Sequence, residues 1–154
     1  MSGDYPEPPT DVSTVSPAAL QAELDAGEPI RLLDVRDRDD VERWQISGAS
    51  VTNTQLPYAK FLQAKVRDTV GELATEIDGT GPITVVCGRG EASEFVAGLL
   101  SEAGVEARNL AGGIEAWGQL VQARELDRGA LTLVQYRRPS TGCLSYLLAG
   151  DGEG

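Results

Sequence analysis

The chain of 154 residues has no histidine. Any nucleophile it uses must therefore be activated without an imidazole. Its two cysteines, Cys87 and Cys143, make neither a disulfide framework nor the set of closely spaced ligands a zinc site needs. No metal and no cofactor are expected. Lysine is nearly absent, with Lys60 and Lys65 the only two, and aromatic residues make up just 5%. Against 13 basic residues stand 24 acidic ones, a net charge of −11. Nucleic acid and anionic membrane surfaces are poor partners for such a chain, because phosphate binding needs a basic surface. The acids are spread along the sequence rather than gathered in a tail. Diffuse acidity with few lysines is the pattern of salt-loving organisms, whose carboxylates keep the surface hydrated. The plainer reading is an ordinary acidic protein. No run of about 18 apolar residues offers a membrane span. Met1 to Thr10 carries acids and prolines where a signal peptide would have a basic start and an apolar core, so the expected location is cytoplasmic.

What is present suits one domain with a real core, since 41% of the residues are hydrophobic. Residues 1–11, with three prolines, read as a disordered or loosely packed leader. Ser16-Pro17 forms a helix start, Leu20 and Leu24 a buried stripe, and Gly27 a stop. Ile30 to Val35 reads as a buried strand, Asp37 to Trp44 as a short acidic helix capped by Asp37, and Ala49 to Val51 as a short strand. Pro57 to Ile77 has helical spacing for one or two helices. A loop at 78–82 precedes a strand at Ile83 to Val86, a helix at Glu94 to Ala103, a strand at Ala107 to Leu110 and a helix at Ile114 to Gly118. Alternating strands and helices predict an α/β fold, a mainly parallel sheet with helices on both faces. Ligands of such sheets bind at the carboxyl ends of the strands. Residues 121–154 break the alternation: Leu131 to Val134 and Leu144 to Leu148 read as a hairpin-like β extension.

The densest signal is Ile83-Thr84-Val85-Val86-Cys87-Gly88-Arg89-Gly90-Glu91-Ala92-Ser93. A strand ends at a thiol, two glycines allow a tight loop, and a helix follows. Inward backbone N–H groups and the positive end of a helix dipole both favour the thiolate. That is a poor place for an inert core cysteine and a good one for a nucleophile. Ser93 is expected to cap the helix, with its hydroxyl near the sulfur as a secondary role. Arg89 is either a contact for an anionic substrate or an exposed loop arginine, and Glu91 a solvated acid. Asp34 and Arg36, at a neighbouring strand end, either brace the loop as an ion pair or line the pocket, with bracing the better reading. Gly112 and Gly113 serve backbone geometry, and Trp117 packs in the core.

Three segments in register resemble the rhodanese family: Leu32-Leu33-Asp34-Val35-Arg36 followed by Ile46-Ser47-Gly48-Ala49, then the cysteine loop, then Asn109-Leu110-Ala111-Gly112-Gly113-Ile114-Glu115-Ala116-Trp117. The resemblance covers residues 12–120 and implies a rhodanese-like three-layer fold. It also implies a sulfurtransferase whose catalytic Cys87 takes sulfane sulfur from a small donor. The sulfur is held as a persulfide and passed to a thiol or cyanide. Gly88, Arg89, Gly90, Glu91, Ala92 and Ser93 would bind the substrate, their N–H groups stabilising the charged persulfide as an oxyanion hole does. Two departures stand out. Trp44-Gln45 replace the family's usual Gly-His, and Ala92 stands where many members have a basic residue before the serine. The second makes a neutral or thiol-bound persulfide the expected donor in place of thiosulfate.

Residues 135–148 are similar to the opening strands of metallo-β-lactamase-fold hydrolases related to persulfide dioxygenases and glyoxalase II. That implies a hydrolase module as partner, with 121–154 as linker and first strands of a second domain. Two other functions stay open. A cysteine phosphatase on the same fold would need arginine six positions after the cysteine to clamp the phosphoryl oxygens, and that position is Ser93. A non-catalytic binding or regulatory module fits the missing basic residue but not the retained Cys87 and its glycines.

Overall fold

Apolar runs at Ile30–Asp34 and Ile83–Val86 need cover on both faces, and the fold provides it. The computed structural model describes residues 5–127, 131–139, 141 and 143–150. Its elements begin with β1 (Ser13–Val15), α1 (Pro17–Asp25), β2 (Ile30–Asp34), α2 (Arg38–Arg43), β3 (Val51–Gln55), α3 (Tyr58–Arg67) and α4 (Val70–Ala74). They continue with β4 (Ile83–Val86), α5 (Glu91–Glu102), β5 (Ala107–Leu110), α6 (Gly113–Gln119), β6 (Gln122–Asp127), β7 (Leu131–Arg138) and β8 (Cys143–Gly150). The chain forms two compact units, residues 1–116 and 117–154.

In the first unit the strands pair in the order β1-β5-β4-β2-β3, every pair parallel. Strand alternation sorts the core. Leu33, Val35, Ile83, Val85 and Cys87 join one cluster with Phe61 and Ala64 of α3, Leu73 of α4 and Phe95, Val96 and Leu99 of α5. Phe61, Phe95, Leu33 and Val85 are fully buried. The expected α/β class is thus the observed one. Chain order reverses between β2 and β4: β3 lies to one side of β2, β4 and β5 to the other. The ligand crevice of an open α/β sheet opens at such a reversal.

Local chemistry explains most boundaries. Ser16 caps α1, its hydroxyl accepting from the Ala19 N–H at 3.1 Å, with Pro17 in the first turn. Gly27 turns the chain at φ +73°. Pro57 to Ile77 resolves into two helices, broken where Asp68 enters the left-handed region at φ 55°. The strand expected at Ala49 to Val51 instead runs from Val51 to Gln55, in register with all of β2. Its sequence, Val-Thr-Asn-Thr-Gln, hides it: a polar strand at the sheet edge shows no apolar run. Pro8 and Pro9 of the leader lie over Gly98, where a Cβ would stand 2.7 Å from the Pro8 Cβ. Residues 1–4 of the leader lie outside the described residues.

The second unit carries an antiparallel sheet in the order β6-β7-β8. The expected hairpin is its β7 and β8, each longer than expected, and β6 is an addition. Among the described residues, no helix is long and apolar enough to cross a membrane.

Candidate active site

β4 delivers Cys87 to the carboxyl edge of the sheet, one residue beyond Val86, which pairs with Asp34 of β2. The cysteine is 6% exposed and unpaired. From there the chain must climb into α5 within three residues. Gly90 makes that turn at φ +96°, a backbone that L side chains rarely adopt, and its N–H then donates to Cys87 Sγ at 3.0 Å. A Cβ at this position would also press on the Gly112 nitrogen at 3.0 Å.

A second glycine pair holds the loop from outside. A Cβ on Gly113 would stand 2.4 Å from the Cys87 carbonyl oxygen. Because Gly113 has none, the N–H groups of Ile114 and Glu115 donate to the Cys87 and Gly88 carbonyls at 2.9 and 3.0 Å. The expectation that Gly112 and Gly113 serve backbone geometry is met, at φ +69° and +62°.

Ser93 corrects one expectation. α5 begins at Glu91, not Glu94, and its N-cap is Gly90 with no side-chain capping bond. Three residues further into the helix, Ser93 points inward instead. It is fully buried, its hydroxyl 3.1 Å from Cys87 Sγ and 2.5 Å from Asn109 Oδ1. Asn109 of β5 donates through Nδ2 to the Gly90 carbonyl at 3.0 Å. Ala92 is buried at the position where a base was missed, and Glu91 is half-buried.

Arg89 sits high on the loop, its side chain 80% exposed, with Nε 3.1 Å from Glu115 Oε2. Its charge therefore faces a carboxylate. Asp34 and Arg36 form an ion pair at the end of β2. Asp34 accepts from Arg36 Nε at 3.0 Å and Nη2 at 2.8 Å, and from its backbone N–H at 3.1 Å. Arg36 Nη2 also donates to the Trp44 carbonyl, and Gln55 Nε2 donates to the Arg36 carbonyl. The Nε and Nη2 donors of Arg36 are thus engaged in fixing the turn after β2. Trp117 is buried, as expected.

Two site residues escaped the sequence reading. Asn109 lay inside the quoted Asn-Leu-Ala-Gly-Gly segment, and its signal was a polar residue at a buried position of a short strand. Glu115 lay in the same segment, and only the fold brings it opposite Arg89. Among the described residues, no group of His, Cys, Asp and Glu side chains is placed to hold a metal.

Comparison with known proteins agrees with this architecture. A rhodanese-like domain protein of Staphylococcus aureus is 22% identical, with a TM-score of 0.54 over 70% of this chain and 92% of its own. The CoADR-RHD protein of Bacillus anthracis, in reduced form, is also 22% identical over 70% of this chain, with a TM-score of 0.52, but the match spans only 16% of that longer chain. A Rhodopseudomonas palustris protein of unknown function, a possible tyrosine phosphatase, matches at 17% identity and TM-score 0.51 over 69% of this chain and 79% of its own. These likenesses speak for the fold. No curated protein matches the chain. The family model of the rhodanese-like domain matches residues 16–120, from the α1 cap to the end of α6 and across the whole cysteine loop, and the chain belongs to the rhodanese-like domain family.

Proposed function

We propose that the protein is a sulfurtransferase that carries sulfane sulfur as a persulfide on Cys87. The observation that carries this reading is the surroundings of Sγ. A loop N–H donates to it, a buried hydroxyl lies within 3.1 Å, and the N-terminus of a 12-residue helix starts four residues on. Each of these stabilises negative charge on sulfur. In the first step the Cys87 thiolate attacks the outer sulfur of a donor persulfide. The new Sγ–S bond forms as the donor's S–S bond breaks, and the donor leaves as a thiolate. In the second step an acceptor thiolate or cyanide attacks that outer sulfur, and Cys87 leaves as thiolate. No net oxidant or reductant is needed.

The donor class follows from charge. Ala92 offers no cation, and the guanidinium of Arg89 faces Glu115. A thiol-bound persulfide such as glutathione persulfide suits this mouth better than the dianion thiosulfate. Phosphatase chemistry is disfavoured because Ser93, bound to Asn109, stands where the phosphoryl clamp would need arginine. Delivery to a hydrolase module belongs to the same proposal and is supported by the resemblance of residues 135–148. A His-x-His-x-Asp-His cluster further along the reading frame would support it, and a frame without one would refute it.

Loading with glutathione persulfide should add about 32 Da, one sulfur, to Cys87. Cyanolysis should then turn over, and Cys87→Ser should abolish both. A wild-type protein that takes up no sulfur from either glutathione persulfide or thiosulfate would leave a binding module as the correct reading.

A further inference from the structure

A serine hydroxyl has one proton, and Ser93 has two neighbours that could receive it. Asn109 Oδ1, at 2.5 Å, can only accept. The amide cannot be turned round without loss, because its Nδ2 donates to the Gly90 carbonyl at 3.0 Å. Cys87 Sγ, at 3.1 Å, accepts when it is anionic and donates its own proton when it is a thiol. Both side chains are shut away from water, Ser93 fully and Asn109 at 6% exposure.

We propose that Asn109 is a positioning residue that decides where the Ser93 proton points and so sets the reactivity of Cys87. With the thiol form, Ser93 donates to Asn109 and accepts from S–H. With the anionic form, the charged sulfur is the stronger acceptor and the hydroxyl turns to it, leaving Asn109 Oδ1. Asn109 thus competes with the sulfur for one proton. The rest of the loop stays still, held by Gly90 and Gly113. The inference rests on Cys87 being the reactive sulfur of the proposed carrier, yet it concerns the thiol itself and no sulfur donor.

The competition has a signature that a purely structural role lacks. Asn109→Leu and Asn109→Asp both lose the bond to the Gly90 carbonyl, so a structural effect would move both in one direction. Competition for the proton moves them apart. Asn109→Leu leaves the hydroxyl no acceptor but the sulfur and should speed alkylation of Cys87 by iodoacetamide about fivefold. Asn109→Asp offers a stronger acceptor and should slow it about as much, the net worth of one ordinary hydrogen bond in each case. The measurement is made at one neutral pH in a Cys143→Ser background, so that a single thiol reacts, with circular dichroism to confirm folding. In combination with Ser93→Ala the Asn109→Leu effect should fall within about twofold of Ser93→Ala alone. Both Asn109 variants moving alike, or a Leu effect undiminished without the hydroxyl, would overturn the proposal. If Asn109→Leu fails to fold, Asn109→Asp decides: slowing that is as large in the Ser93→Ala background refutes the relay. Sulfur loading, assayed separately, can fail while this result stands.

Discussion

Glu115 is where a single side chain sets the character of the site. Its backbone N–H helps hold the cysteine loop through the Gly88 carbonyl, while its carboxylate faces the only arginine of that loop. The pair is exposed, 80% and 59%, so its strength is modest. Its effect on an approaching anion is nonetheless direct, because it removes net positive charge from the rim above Cys87. Glu115→Gln keeps the backbone bond and frees Arg89. Thiosulfate should then be used better, with kcat/KM raised about threefold, consistent with an exposed pair worth up to about 1 kcal/mol. Glutathione persulfide should be little affected. Parallel initial-rate measurements with the two donors check this, and an equal change for both would mean that Arg89 plays no part in choosing the donor.

Among the elements, α1 and β5 are joined by one ionic contact. Arg108 donates through Nη1 and Nη2 to the two oxygens of Glu23 and through Nε to the Thr84 hydroxyl. The Arg108 hydrogen bond holds the Glu23 carboxyl below its ordinary value of 4.5, against a smaller opposing effect of burial. A folded-state value below the unfolded one means that the contact stabilises fully above the unfolded value. Its contribution fades as pH falls through the folded value. Glu23→Gln should therefore lower stability at pH 7 by about 1 kcal/mol. Urea midpoints compared down to pH 3 should show the gap to wild type closing as acid protonates Glu23, and a gap independent of pH would contradict the assignment. Elements differ in how far they could be read beforehand. β4 is an unbroken β-prone run, β2 and β5 carry apolar residues at their buried positions, and α1 carries its own cap and proline, so these were legible. β3 was misplaced because its residues are polar, and β1 and β6 have no pattern of their own, being defined by their partners. α5 starts three residues early because Gly90 ends the loop by backbone conformation, a property that cap preferences do not encode. For the same reason Ser93 was legible as a neighbour of the sulfur but not as a buried one.

At the scale of the whole molecule the charge of −11 acts against folding. Among the described residues, ion pairs engage Arg36, Arg38, Arg89 and Arg108. With 24 acids against 13 basic residues, one-to-one pairing still leaves 11 carboxylates without a cation, and their mutual repulsion is the larger long-range effect. Salt shortens the range of that repulsion from about 30 Å at 0.01 M to about 3 Å at 1 M. It also weakens the exposed pairs, but those are each worth little. The sign of the sum is therefore stabilising. The midpoint of thermal unfolding should rise by several degrees from dilute buffer to 1 M sodium chloride, a shift of roughly 1–2 kcal/mol for a domain of this size. The helical circular dichroism signal is the right probe, because α1 to α5 all lie in the first unit and none in the second. Most of the rise should occur below a few tenths molar if screening is the cause, since the Debye length is already about 10 Å at 0.1 M. A midpoint that stays flat or falls with salt would show that the acids are already accommodated by the fold. It would also remove the support that composition lends to a salt-adapted origin.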